Sequence, residues 1–182
     1  NTNQNKEQLV GFQSVFTLKK GSLTTNINAN KVRRKYDDLI NAVVGTNDYD
    51  PYHADYTGRS FFAETYLNYA LHQHISLLSG VDYRNNSADI NTSYGSLGKD
   101  SLSADMFSIY AAVSTKEFKK FGIEIGGRLT QHNEFGSAFT YAINPYYMVS
   151  KQVKLFASLA SAFRAPSLYH LASEYGNTAL EP

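Results

Sequence analysis

Apolar residues in this chain recur with a period of two over most of its length. Residues 9–20 place Val10, Phe12, Phe16 and Leu18 on one face, with Gln13 and Thr17 on the other. Residues 23–34 set Leu23, Thr25, Ile27 and Ala29 against Thr24, Asn26, Asn28 and Asn30. Alternation of this kind marks a strand whose two faces meet different surroundings. Residues 59–71 repeat it, with Phe61, Ala63, Leu67 and Tyr69 opposing Glu64, Tyr66 and Asn68. In 74–85, Ile75, Leu77, Val81 and Tyr83 oppose Ser76, Asp82 and Arg84. Residues 104–115 and 121–132 follow suit, the first with Phe107, Ile109, Ala111 and Val113, the second with Ile123, Ile125 and Leu129 against Glu124 and Arg128. A seventh segment, 137–149, contains Pro145, which predicts a bulge or an irregular spot in the ladder. The eighth, 153–164, alternates Val153, Leu155, Ala157, Leu159 and Phe163 with Lys154, Ser158 and Arg164.

The joints alternate in length. Gly21 sits in a tight turn over 19–22, a short turn falls at His72 and Gln73, and 116–120 is a basic turn. Residues 35–58 and 86–103 break the pattern with Asp, Asn, Gly and Pro and read as long loops, while 133–136 is a shorter connection. Ala165 and Pro166 stop the eighth strand, because proline cannot donate to a ladder and pushes its predecessor out of regular structure. Ser167 is placed to cap a short helix running to about residue 174, which Gly176 and Asn177 would end.

The polar face decides the class. Three asparagines on one strand face do not make the core of a soluble sandwich; they suit a wet lumen. Glu64, Asp82, Arg84, Glu124, Arg128 and Arg59 are assigned to that same face, where a lipid-side Arg or Lys near the midplane would cost roughly 2–4 kcal/mol. This face is therefore expected to look inward, with Ile75, Leu77, Val81, Ile123, Ile125, Leu129, Leu155 and Leu159 toward lipid. Tyr69, Tyr83, Tyr141 and Tyr147, near strand ends, suit an aromatic girdle. The expected fold is all-β: an antiparallel transmembrane β-barrel segment of about eight strands, with long extracellular loops and short periplasmic turns.

Composition narrows the picture. The net charge of +1 gives no reason to expect nucleic acid as a partner, and the absence of cysteine excludes disulfides and thiolate chemistry. No apolar run approaches the roughly 18 residues of a transmembrane helix, a test that barrel strands escape. There is no nucleophile elbow, no HExxH, no phosphate-binding glycine loop and no paired cysteine, so no enzyme is expected. His72 and His74 flank a turn and read as solvated rather than as a metal pair; Lys116, Lys119 and Lys120 read as a solvated rim. The stretch 46–58, TNDYDPYHADYTG, holds candidate ligand-binding residues. Asp48, Asp50 and Asp55 are oxygen donors of the type Ca²⁺ prefers, and Tyr49, Tyr52 and Tyr56 are able to stack on a ligand. Its spacing fits no standard calcium loop, and an ordinary exposed loop stands as the plainer reading.

The run "FASLASAFRAPSL", followed by "YGN" and "LEP", resembles the outer-membrane receptors that depend on TonB. Phe163, Arg164, Ala165, Pro166 and Ser167 match that family's strand-end motif. Gly176, Asn177, Leu180, Glu181 and Pro182 match the signature that leads into its next strand. Upstream, "FGIEIGGRLTQHNEFGSAFTYAINPYYMVSKQVKLFASLASAFRAP" is similar to the family's run of the same region. The resemblance implies a 22-stranded barrel of a Gram-negative outer membrane, filled by an N-terminal plug and driven by TonB at a segment outside this chain. It implies uptake of a small-molecule nutrient such as a siderophore or cobalamin, membrane lipid as a partner, and no cofactor. The motif residues are expected to be structural.

Residues 1–8 are polar, without the apolar core of a signal peptide, and 182 falls inside the family signature. Residues 1–182 are accordingly expected to be part of a receptor barrel domain, with plug and remaining strands elsewhere. Such a segment is expected to close on itself, pair or aggregate, and to bind no nutrient alone. Two alternatives stay open: a complete small eight-stranded outer-membrane barrel acting as anchor or adhesin, and a soluble lipocalin-like carrier with its apolar face inside.

Overall fold

The computed structural model of the protein describes residues 2–38, 52–98, 102–115, 120–172, 177 and 179–180. Eight long or broken strands lie side by side in one antiparallel sheet. They are β1 (Thr2–Leu18), β2 (Gly21–Asp38), β3 (Tyr52–His72), β4 (Ile75–Thr92), β6 (Ser103–Thr115), β7 (Phe121–His132), β8 (Gly136–Met148) and the pair β9 (Lys154–Phe156) and β10 (Leu159–Ala160). A three-residue strand, β5 (Gly95–Leu97), folds back on the end of β4, and a single helical turn, α1 (Leu168–Ala172), follows β10. Neighbours in sequence are neighbours in the sheet, and β1 and β10 form its two open edges.

Alternation carries one face across every ladder. Phe12 pairs with Ile27, Ile27 with Ala63, Val81 with Ile109, Ile109 with Leu129 and Leu129 with Phe139. These apolar positions are the exposed ones: Phe12 is 61% exposed, Ile109 53%, Leu129 52% and Phe139 67%. The largest fully buried side chains are instead polar, Asp82 and Ser108, and among the described residues Ala54 and Leu102 are the buried apolar ones. An oil-filled carrier of lipocalin type would show the reverse. From Phe61 to Tyr69 the apolar face runs for about 26 Å at ~3.3 Å per residue, which a tilt of ~40° shortens to roughly 20 Å, near the ~25 Å band of membrane barrels.

Several expectations are corrected. The described parts of the stretches 35–58 and 86–103 are mainly strand, while 39–51 and 99–101 lie outside the described residues. β2 runs on to Asp38, β3 begins at Tyr52, and β4 continues to Thr92 before a tight turn into β5. Their Asp, Asn and Gly residues keep the ladder because cross-strand ion pairs and stacked tyrosines hold the two faces. β1 likewise begins at Thr2, seven residues before its apolar stretch. Arg59 does not join the inward face: it follows Phe61 in parity and pairs with Asp89 at 2.6 Å, above the apolar band. The irregular spot expected at Pro145 falls on one side of its strand only: the β7–β8 register is intact, with Pro145 opposite Ile123, and the ladder to the next strand is broken. Ala157 donates to the Pro145 carbonyl at 3.1 Å, but proline has no N–H to return, and the strand lapses between β9 and β10. A register shift falls where no proline announces it, between Ala70 and His72.

The inward face is tied by a polar network. Arg128 donates through Nη2 to both carboxylate oxygens of Asp82, at 2.8 and 2.7 Å, and to Ser108 Oγ at 2.9 Å. Ser108 and Thr130 share a 3.1 Å hydrogen bond, and Arg84 stands 3.5 Å from Asp82. Across the sheet, Tyr110 donates to Glu64 at 2.8 Å, Asn26 donates to the other Glu64 oxygen at 3.2 Å, and Gln13 donates to Asn26 at 2.8 Å. Tyr110 reaches Glu64 because its cross-strand partner is Gly80, where a Cβ would sit 2.6 Å from the tyrosine ring. Gly122 makes the same room for Tyr146.

Spin labels at Val81, Ile125 and Leu129 in the membrane-inserted protein will relax with lipid-soluble oxygen, and labels at Asp82 and Arg128 with a water-soluble nickel chelate; exchanged responses would turn the sheet inside out. Replacing Arg128→Met leaves the Asp82 carboxylate buried with only Arg84 nearby, a loss of about 3 kcal/mol in urea unfolding of the lipid-embedded protein. The double variant Arg128→Met, Asp82→Asn should recover most of it.

Candidate functional site at the long-loop end of the inner face

The sheet has two unlike rims. Turns at 19–20, 73–74 and 149–153 are short and lie at one end, where β6 ends and β7 begins. At the other end β2, β3 and β4 project beyond the apolar band, and their inward side chains form a cleft of about 550 Å³. Arg34 and Tyr36 come from β2, Tyr52, Ala54 and Tyr56 from β3, and Ala88 and Ile90 from β4. All share the parity of Asn28, Phe62 and Arg84, so one unbroken register delivers them to the interior. The Tyr36 and Tyr52 rings lie 6.0 Å apart, Tyr52 and Tyr94 lie 5.7 Å apart, and the Tyr52 and Tyr56 hydroxyls are 3.3 Å apart. Arg34 is exposed, and among the described residues no carboxylate pairs with it. The cleft thus offers one free guanidinium, several phenol hydroxyls and aromatic faces, a set suited to a flat, oxygen-rich anion.

The opposite, outward face of the same extension is closed on itself. Arg33 binds Asp55 through Nε at 3.0 and 3.2 Å and through Nη2 at 2.5 Å, Lys35 approaches to 3.7 Å, and His53 pairs with Asp37. The hydrogen bonds from Arg33 are the main reason the Asp55 carboxyl is held below the usual carboxylate range, against a smaller upward push from burial.

The sequence-predicted ligand residues therefore separate. Tyr52 and Tyr56 line the cleft; Asp55 turns away from it, its carboxylate already met by Arg33 and Lys35. Asp48, Tyr49 and Asp50 lie outside the described residues. Among the described residues no three His, Cys, Asp or Glu gather to hold a metal, and the His72 and His74 rings, 5.9 Å apart, stand without a third ligand. Arg34, Tyr36 and Tyr94 were not singled out from sequence. The signal was the continuing alternation Asn30, Val32, Arg34, Tyr36, which runs two turns of the pleat past the last apolar residue.

A second cleft, about 490 Å³, lies deeper on the same face. Asn30, Ser60, Asn86 and Met106 line one side, and Ala165, Pro166, Ser167 and Leu168 close the other. The motif segment has folded inward over the sheet. Phe163 leaves the lipid-side parity of its strand and brings its ring to 6.5 Å from His132, a buried residue of the inner face. The Ser167 hydroxyl accepts from the His170 N–H at 3.2 Å, the cap its sequence position implies. Asn177 donates its N–H to the His170 carbonyl at 2.8 Å, and its side chain accepts from Ala179 N–H at 2.9 Å. Arg164 is exposed, as is Leu180; Gly176, Glu181 and Pro182 lie outside the described residues. Asn30 Oδ1 is buried in this cleft region without a hydrogen-bond partner, an acceptor left open to an incoming donor.

Asp55 generates a pH test. A carboxyl with a lowered folded-state pKa stabilises above its unfolded value, about 3.9, and loses that contribution as pH falls through the lowered value. Amide protection at 31–37 and 53–57, corrected for intrinsic exchange, should fall below about pH 4, and this dependence should vanish in Arg33→Ala.

The TonB dependent receptor-like β-barrel family model matches residues 1–182. The vitamin B12 transporter BtuB of Vibrio cholerae is 32% identical over 104 residues, 57% of this chain and 16% of that protein. Among solved structures, a variant of the ferric enterobactin receptor PfeA of Pseudomonas aeruginosa in complex with enterobactin superposes with a TM-score of 0.79 at 22% identity, over 96% of this chain and 28% of that one. The siderophore receptor PirA of Acinetobacter baumannii gives 0.72 at 18% identity, over 93% and 27%. The chain thus spans less than a third of the length of each of these proteins. An open antiparallel sheet, apolar outside and polar within, is one arc of such a barrel, and the chain belongs to the TonB-dependent receptor β-barrel family.

Proposed function

We propose that this chain forms the ligand-facing arc of a receptor for TonB-driven uptake of a ferric siderophore across the outer membrane. The family and its transport-receptor members support outer-membrane nutrient uptake and give no support to an enzyme. The observation that favours a siderophore is the cleft of Arg34, Tyr36, Tyr52 and Tyr56. Ferric catecholates are anionic and present flat aromatic edges, which a guanidinium and stacked phenols recognise by charge and by ring contact. Cobalamin is the second reading, favoured by the 32% identity to a vitamin B12 transporter. The energy source would be TonB.

In the outer-membrane receptor carrying this arc, fluorescence quenching by a ferric catecholate should report binding that Arg34→Ala weakens roughly tenfold, one charge-assisted hydrogen bond of about 1.5 kcal/mol. Tyr52→Ala should weaken it several-fold more, while Arg33→Ala, on the outward face, leaves it within twofold. Cyanocobalamin binding that outcompetes the catecholate, with no response to Arg34→Ala, would transfer the assignment to the second reading.

A further inference from the structure

The charge of this chain is divided unevenly between its two rims. The described residues of the connections at the short-turn end, 18–21, 72–75, 115, 120–121 and 148–154, hold five Lys and no Asp or Glu. The rest of the sequence, with twelve of the 17 Lys and Arg residues against all 16 Asp and Glu residues, is acidic. At the long-loop end the described cations are largely consumed in pairs: Arg33 and Lys35 with Asp55, Arg59 with Asp89, His53 with Asp37. At the short-turn end Lys19, Lys20, Lys120 and Lys151 are exposed, and among the described residues no carboxylate pairs with them. The nearest described acid, Glu124, points inward and holds Asn144 at 3.3 Å.

These lysines also sit at a defined depth. Leu71, Phe121, Val149 and Val153, all between 46% and 50% exposed, mark the edge of the apolar band beside the same turns. Successive turns are two strands apart in the sheet order, about 10 Å at ~4.8 Å per strand. The result is a row of ammonium groups that no described carboxylate neutralises, each on a flexible apolar stem beside the edge of the apolar band, where the hydrocarbon of a bilayer would meet its phosphates. Lys120 is held there by its backbone, which takes a positive φ of 76° and brings Nζ to 3.5 Å from the Val149 carbonyl.

We propose that this rim binds the anionic headgroups of phospholipid in the adjoining leaflet, selecting phosphatidylglycerol-type lipids over zwitterionic ones. The inference goes beyond nutrient uptake and does not depend on which nutrient is carried. Lipid is favoured over an acidic protein because the cations are strung along the apolar boundary rather than gathered into a patch, and because juxtamembrane lysines are drawn to anionic lipid surfaces.

The test uses the lipid-reconstituted protein and spin-labelled lipid probes, whose motionally restricted fraction reports the first shell around the barrel. At low salt, labelled phosphatidylglycerol should associate two- to fivefold more strongly than labelled phosphatidylcholine, and the ratio should fall toward one in 0.5 M NaCl. The variant Lys19→Gln, Lys20→Gln, Lys120→Asn, Lys151→Gln should abolish the preference; asparagine is used at 120 because it tolerates the left-handed backbone. The variant Lys6→Gln, Lys31→Gln alters charge at the other end and should leave the preference intact. Inorganic phosphate at 20 mM should not displace the labelled lipid if a bilayer headgroup is the ligand. Equal association of both probes, a preference that survives the fourfold variant, or a preference lost equally in the Lys6, Lys31 control would overturn the proposal. So would displacement by free phosphate.

Discussion

The structure depends on one constraint: within a bilayer every backbone N–H and C=O must find its partner in a neighbouring strand. The sheet meets it with ladders that keep a single parity from β1 to β10, apart from the shift near Ala70. Because side chains alternate with a period of two, that parity is also what makes Phe12, Ile109 and Phe139 share one surface and Gln13, Asp82 and Arg128 the other. A one-residue slip of β4 or β7 would place the Arg84 or Arg128 guanidinium in lipid. Register here is therefore enforced from both faces, by hydrocarbon on one and by the Asp82–Arg128–Ser108 cluster on the other.

That cluster inverts the usual relation of core to surface. The largest fully buried side chains are Asp82 and Ser108, and many of the large apolar ones are exposed. Removing a single member is costly because the partner stays desolvated, whereas the cluster as a whole contributes specificity of pairing more than net stability. Continuity of the same inward face beyond the apolar band is what turns an architectural rule into a candidate site. Arg34, Tyr36, Tyr52 and Tyr56 reach the interior because the parity set by Asn28 and Phe62 is never interrupted on the way up. Pairing of Arg33 with Asp55 on the outward side ties the extension together while the Arg34 guanidinium meets no carboxylate among the described residues.

The strand-end motif acts on the same face from a different direction. Pro145 weakens the ladder at Ala157, the strand ends early, and Ala165 and Pro166 send the chain inward rather than onward. Phe163 then meets His132, and Ser167 caps the short helix that roofs the deeper cleft.

What the sequence by itself determined was everything that follows from a period of two. The strand cores, the inward and outward sets, the turn at Gly21 and the cap at Ser167 depend on each residue and its near neighbours, and they were legible. The reach of the strands was not, since 35–38, 52–58 and 86–92 carry loop-like composition and become strand only when Arg33 meets Asp55 across the ladder and Tyr36 meets Tyr52. For the same reason Arg59 was assigned to the wrong face: its charge suggested the lumen, but above the apolar band the outward face meets water and tolerates it. Tyr52, Tyr56 and Asp55 looked like one candidate site along the chain, and the pleat alone sends the tyrosines inward and the aspartate outward. Sequence order records which residues are close along a strand; only cross-strand pairing decides which of them face the same ligand.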